Sequence, residues 1–231
     1  MEYSRWLDDD ERKISELRRA LEAHLGDGEL RVIVDAYIAH YDHIFRLRGV
    51  AAKSDVFHLL TGIWTTPAER CFLWIGGFRP SDLIKVLIVQ LDPLTQQQVV
   101  GIYSLQQSSQ QAEEALSQGL EQLQQSLILT IVNDGMHHMA VALAKLANLE
   151  GFLTQADNLR QQTLHQLHRI LTIRQAARCF MLIGEYYGRL RALSSLWASR
   201  PRESMMADDN SCQTTIELQM IQASQHHFSN M

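Results

Sequence analysis

Residues 65–82 read TTPAERCFLWIGGFRPSD. A cysteine, a glutamate, two arginines, paired glycines and aromatics packed this densely suit an active-site loop, a ligand pocket or a corner between two helices. Local chemistry selects the corner. Thr66 is placed to cap a helix, Pro67 sits at its first position and Glu69 closes a capping box three residues on. AERCFLWI is therefore predicted to start a helix that Gly76-Gly77 stops, and Pro80 opens another running through Leu91. The glycine pair follows a helix and joins no strand to one, so it is not a phosphate-binding loop.

The pattern on both sides of this corner is helical. Upstream, Trp6, Ile14, Leu17, Leu21 and Leu25 form one stripe ended by Gly26-Asp27-Gly28, a second helix spans 29–47 and a third 54–60. Downstream, the chain breaks at Asp92-Pro93, and Thr95 with Gln98 repeats the capping arrangement. Residues 95–132 are the longest element. Ile102, Leu105, Ala112, Leu116, Leu120, Leu123, Leu127 and Ile131 step by three and four between polar gaps, so the many glutamines sit on an amphipathic frame. Asn133-Asp134-Gly135 interrupts it, and helices follow over 136–150, 152–171 and 173–198, the last opened by Thr172 and Gln175 as another capping box. No alternating strand of useful length occurs. The expectation is an all-α, multi-helix bundle of about seven to eight helices with one long amphipathic helix. It occupies residues 1–203, and residues 204–231 form a polar, disordered tail with at most a short helix over 215–223.

Composition narrows the class. The chain has 231 residues, 46% of them hydrophobic, enough for a substantial core. Three cysteines (Cys71, Cys179, Cys212) without framework spacing argue against a disulfide-stapled secreted domain and for a reducing compartment. The N-terminus carries acids where a signal peptide needs a basic patch and an apolar run, and no apolar stretch is long enough to span a bilayer, so a soluble intracellular chain is expected. The net charge of −5 hides a basic segment: residues 152–202 carry eight arginines and two acids. These arginines are scattered at helical spacing, unlike a nucleic-acid-binding arm, and read as a solvated or ion-paired face.

No catalytic constellation emerges. His40 and His43 lie one turn apart, and His137-His138 and His165/His168 add imidazoles, but no fourth-ligand set completes a metal site. A haem pocket would need such a histidine and has no specific support. Cys71, near a helix start and sharing a face with Trp74, reads as a buried, inert thiol, as does Cys179. No enzyme is expected, and no catalytic or metal residue is assigned.

Three stretches carry a family resemblance: HYDHIFRLRGVAAKSDVFHLLTGIWTTPAERCFLWIGGFRPSDLIKVL, DPLTQQQVVGIYSLQQSSQQAEEALSQGLEQLQQSL and QADNLRQQTLHQLHRILTIRQAARCFMLIGEYYGRLRALSSLWASRPRE. Together they closely resemble the C-terminal, delay-of-germination domain of plant TGA-type bZIP transcription factors, over residues 3–203. Such factors bind TGACG-type promoter elements as dimers through a basic region and zipper. The resemblance implies partners: NPR-type ankyrin/BTB coactivators, CC-type glutaredoxins and a second TGA chain, as homodimer or heterodimer. It implies the nucleus as location, with the cytoplasm also open. No basic block precedes Trp6, so this chain alone is expected not to read DNA, to be a piece of a longer factor cut near Met1, and to have no membrane partner.

Residue by residue the carry-over is partial. A family subgroup has two cysteines on the long helix that form a regulatory disulfide, and Tyr103 and Ser109 stand at those positions, so that switch is missing. Cys71 matches the family's AERC cysteine and is the first redox candidate; Cys179, the second, stands where the family usually has another residue. His43 replaces a common acid. No cofactor is required. The family's association with a fatty acid makes Trp64, Phe72, Trp74 and Phe78 the candidate wall of a hydrophobic ligand site, and a sensor whose ligand tunes dimerisation is the alternative function.

Overall fold

The computed structural model describes residues 2–91, 93–132 and 136–200. Two compact units divide the chain, Met1–Trp197 and Ala198–Met231, and the first holds the features that follow. The expected tail, its short helix, Cys212 and the Asn133-Asp134-Gly135 interruption lie outside the described residues.

The fold is an all-α multi-helix bundle. In chain order the helices are α1 (Glu2–Glu22), α2 (Asp27–Leu60), α3 (Pro67–Arg70), α4 (Pro80–Ile88), α5 (Gln96–Val132), α6 (Met136–Leu146), α7 (Asn148–Ile170) and α8 (Ile173–Ser199). The long amphipathic helix is α5, at 37 residues. Among the described residues the single β-type pairing is an isolated bridge between Trp74 and Gly77.

Helix α1 ends earlier than its apolar stripe suggests. His24 adopts a left-handed φ of 52°, and the amides of His24 and Leu25 bond back to the carbonyls of Leu21 and Ala20, a Schellman closure. Gly26 then caps α2, with Glu29 reaching back to its amide at 3.3 Å. The two helices expected over 29–47 and 54–60 are one helix with a break at Asp55 (φ −155°, ψ 89°). Its carboxylate accepts from the His58 amide at 3.0 Å and restarts the last turn. The boundary expected at Gly151 falls instead at Ala147, and Gly151 lies inside α7 with open space around its Cα. Leu149 and Leu153 extend the buried stripe of α7 through it.

Helix α2 packs on α1 and α7, and α5 packs on α7, α4 and α6. The main core joins Leu17, Leu30, Val34, Ile84, Ile102, Leu167, Phe180 and Ile183, all essentially inaccessible. Leucines and isoleucines of this kind are each worth about 1.5–3 kcal/mol on burial. Where α1 crosses α8, Gly184 makes room: a Cβ there would lie 2.2 Å from Ile14 Cδ1 and 3.2 Å from the Tyr37 hydroxyl. Gly184→Ala is therefore expected to lower stability by about 1–2 kcal/mol despite better helix propensity. Combining it with Ile14→Ala should cost less than the two changes added, as read by urea denaturation.

Candidate functional site

The corner departs from its sequence reading in an informative way. Thr66 and Glu69 do form the expected capping pair, the Glu69 carboxylate accepting from the Thr66 amide at 2.8 Å and its hydroxyl at 2.6 Å. Ser194 of α8 accepts from the Ala68 amide at 2.9 Å. Yet α3 lasts a single turn, with Cys71 as its C-cap, and does not continue to the glycines. Residues 74–77 instead close a tight turn, Trp74 and Gly77 exchanging amide-to-carbonyl bonds of 2.8 and 3.2 Å. Ile75 and Gly76 both take left-handed φ, 41° and 71°. Glycine tolerates this; a β-branched isoleucine is strained by it.

What holds the strained turn is Arg160 of α7, only 1% exposed. Its Nε donates to the Phe78 carbonyl at 2.7 Å, and its Nη2 donates to the carbonyls of Trp74 and Ile75. Its Nη1 donates to Asp157 at 2.6 Å, and Asp157 also accepts two bonds from Arg48 of α2, at 2.9 and 3.0 Å. One guanidinium thus satisfies three backbone carbonyls that a longer helix would have paired internally. Gly77 is required beneath it, since a Cβ there would sit 2.8 Å from Arg160 Cζ. Burial pulls the Arg160 guanidinium down to about 10, still protonated at neutral pH, with Asp157 opposing that shift. On the far side of the corner Glu113 of α5, fully buried, accepts from Arg79 Nε at 2.7 Å and from the Ser81 amide and hydroxyl at 2.7 and 2.6 Å. This seats a carboxylate on the N-terminus of α4.

Behind the corner lies a cavity of about 390 Å³. Trp64, Phe72, Trp74 and Phe78 all line it, with Tyr187 and Arg191 of α8 on another wall. Arg48 stacks 5.0 Å from the Trp64 ring, and Arg160 5.3 Å from that of Trp74, whose indole donates to Ser117 at 2.9 Å. Arg191 reaches Glu69 at 3.5 Å and remains partly exposed. The site is therefore an aromatic box whose arginines are paired with carboxylates, Arg48 and Arg160 with Asp157 and Arg191 with Glu69.

Cys71 is exposed and lines the same cavity, which corrects the expectation of a buried thiol. The short α3 is the reason: a C-cap residue projects from the helix end, whereas an interior position on the Trp74 face would have been covered. Its thiol lies 3.5 Å from the Pro67 carbonyl. Cys179 is buried, and burial pushes its thiol up to about 12, so it is not a thiolate at neutral pH. Tyr103 is exposed, and Ser109 is buried 3.4 Å from the Thr163 hydroxyl.

Among the described residues the histidines do not converge. His43 is exposed, whereas His40 is buried with its ring stacked 4.6 Å from that of Trp6. His165 and His168 face Asp42 and Asp35 of α2 at 2.9 and 3.5 Å. No three His, Cys, Asp or Glu side chains among the described residues are grouped to hold a metal. The arginines expected as a solvated or ion-paired face include Arg160, which is buried and ion-paired.

One polar group at the cavity was not foreseen from sequence. Asp10 of α1, 2% exposed, lines the cavity and accepts from the Tyr37 hydroxyl at 3.0 Å. The unbonded Nε2 of His40 lies 3.8 Å away. Burial raises the Asp10 carboxyl to about 6, against the Tyr37 bond and Arg191, and lowers His40 to about 4, with Lys13 and His43 adding to the effect. The signs oppose. The folded chain holds the Asp10 proton more tightly than the unfolded one, so this group adds stability as pH falls below about 6. Folding disfavours the His40 proton, so stability is lost as pH falls from 6.5 toward about 4. Relative to the unsubstituted chain, Asp10→Asn should lose on the order of 2–3 kcal/mol between pH 6.5 and 4, and His40→Phe should gain a similar amount. Urea denaturation at stepped pH reads both.

These features define an all-helical domain whose corner at residues 66–79 frames a cavity. Residues 13–89 match the seed-dormancy-control family, DOG1. Transcription factor TGA9 of Arabidopsis thaliana is 71% identical over 234 residues, covering 100% of this chain and 49% of that protein. Transcription factor TGAL11 of Oryza sativa subsp. japonica is 69% identical over 222 residues, 91% of this chain and 45% of that protein. TGACG-sequence-specific DNA-binding protein TGA-2.1 of Nicotiana tabacum is 60% identical over 218 residues, 89% and 48% respectively. The chain belongs to the plant TGA transcription-factor family. It spans about half the length of these relatives.

Proposed function

We propose that the chain is the regulatory, protein-interaction domain of a nuclear TGA-type bZIP transcription factor. It recruits NPR-type ankyrin/BTB coactivators or CC-type glutaredoxins and supports homodimers or heterodimers at TGACG-type promoters, DNA contact being supplied by a basic region and zipper. The observation that supports this reading most is the corner itself: Cys71 and Phe72, the latter 59% exposed, line the cavity just ahead of the turn at 74–77 that the buried Arg160 holds. An exposed aromatic beside an accessible thiol on a rigid frame is a surface for a partner, since little ordering entropy is lost on docking. Light scattering of the chain under reducing conditions, alone and mixed with each partner, tests it. A complex of defined mass is expected with at least one of them, and Cys71→Ser should weaken the glutaredoxin complex while leaving the coactivator complex unchanged. Absence of both complexes overturns the reading.

A second reading rests on the cavity: a fatty acid with its chain among Trp64, Trp74 and Phe78 and its carboxylate toward Arg191, tuning dimerisation. Native mass spectrometry should then detect a retained mass of a few hundred daltons that denaturation releases and Arg191→Gln reduces. A ligand-free mass under gentle conditions, with no uptake of added palmitate, contradicts it.

A further inference from the structure

The cavity behind the corner carries one charge that the fold does not balance. Of the charged side chains on its walls, Arg48 and Arg160 pair with Asp157, Arg79 with Glu113, Arg191 with Glu69 and Asp82 with Lys85. Among the described residues Asp10 has no permanently charged partner. Its Oδ1 accepts from the Tyr37 hydroxyl at 3.0 Å, and His40 Nε2 stands off at 3.8 Å. That imidazole is held neutral by burial, with Lys13 and His43 adding to the effect. Arg191 acts on Asp10 as well, but its own ion pair is with Glu69.

Two hydroxyls share the condition. Tyr3 and Tyr187 line the same cavity, and among the described residues neither phenol has a hydrogen-bond partner. Burial, with Glu69 adding for Tyr3 and Tyr186 for Tyr187, pushes both hydroxyls above their usual range, so they stay neutral. Asp10 acts electrostatically on Tyr3, and Tyr3 on Tyr187, which places the three near one another. Buried polar groups are normally satisfied. Water can satisfy the hydroxyls but does not neutralise the carboxylate, and an uncompensated buried charge is costly.

These groups choose a head group. A primary ammonium has one positive charge, three N–H donors and no acceptor, the complement of a carboxylate flanked by phenolic oxygens. An acidic head at this end would meet the like charge of Asp10, and an alcohol would leave that charge in place. The walls formed by Trp64, Trp74 and Phe78 suit a hydrocarbon body, and about 390 Å³ is the size of a small-molecule site.

We propose that the cavity binds a hydrophobic primary amine, its ammonium paired with Asp10 and hydrogen-bonded to the Tyr3 and Tyr187 hydroxyl oxygens. The inference shares with the fatty-acid reading only the premise that the cavity takes a small amphiphile. Calorimetric titration of the 231-residue chain at pH about 7.5 tests it with three probes of one body and different heads: 4-phenylbutylamine, 4-phenylbutanol and 4-phenylbutyrate. The amine is expected to bind at one site, at least about 10-fold tighter than the alcohol, with the acid weakest. Asp10→Asn should bring the amine to the alcohol's affinity, while Arg191→Gln leaves the amine within about 3-fold. The three-probe comparison needs no variant, so it decides the matter even where Asp10→Asn fails to fold. Equal affinity for amine and alcohol, or an amine that binds folded Asp10→Asn undiminished, overturns the inference. The acid binding tightest overturns it in favour of the fatty acid. No binding of any probe at millimolar concentration overturns both cavity readings, whereas coactivator recruitment is scored by its own complex.

Discussion

Arg160→Met is expected to destabilise the folded chain by about 3–5 kcal/mol, chiefly the cost of leaving buried backbone carbonyls without a donor, with the loss of one of the two cations at Asp157 added. The substitution leaves Asp157 with Arg48 alone and removes the donor from the buried carbonyls of Ile75 and Phe78, while the Trp74 carbonyl keeps only the Gly77 amide. A lysine should not rescue it, because a single ammonium cannot span the carboxylate and three divergent carbonyls that the planar fork reaches. Replacing Arg48, Asp157 and Arg160 together by apolar residues also removes the buried Arg48–Asp157 pair, yet the Ile75 and Phe78 carbonyls remain unpaired, so this triple variant should recover part of the loss and not all. Gly77→Ala, whose Cβ would collide with the guanidinium, should be costly alone and nearly neutral after Arg160→Met. Urea denaturation of the four-member cycle reads these differences. Additivity across it would mean that the turn holds itself.

Glu113→Leu is expected to cost roughly 2–4 kcal/mol. Three donors converge on this inaccessible carboxylate, two of them from Ser81 at the start of α4 and one from Arg79. Without it the Ser81 amide, an end-of-helix donor with no partner inside α4, is left buried. Arg79 is partly exposed and can turn to water, which keeps the loss below that for Arg160. Glu113→Gln should fall between, since its carbonyl can keep the Ser81 amide while its NH2 opposes Arg79. A thermal scan and amide exchange over residues 80–84 would register the loss at the N-terminus of α4.

Both residues explain how far the sequence could be read. The helices were legible because they depend on 3.6-residue periodicity and local caps: Thr95 with Gln98 and Thr172 with Gln175 exchange the expected bonds, all between 2.9 and 3.3 Å. The corner was misread as a longer helix because the force that ends it comes from 82 to 86 residues away, at Arg160. Cys71 was misplaced for the same reason. A signal did exist. Asp10, Arg48, Glu113 and Arg160 each occupy a position on the apolar stripe of its own helix, where a charge demands a buried partner. Arg160, for example, follows Leu153 and Ala156 and precedes Leu164 and Leu167. What the sequence withheld was the pairing, because which stripe faces which is a tertiary fact. The aromatic set Trp64, Phe72, Trp74 and Phe78 follows from the family resemblance, and its members line one cavity beside the turn at 74–77.

Hydrogen-exchange mass spectrometry of the chain with and without an NPR-type coactivator tests the central claim most directly, that the corner is a rigid partner surface. Slower exchange confined to residues 66–79 and the cavity rim, with the α2 and α7 core unchanged, is the result expected. A complex that forms without altering exchange at the corner would contradict the claim.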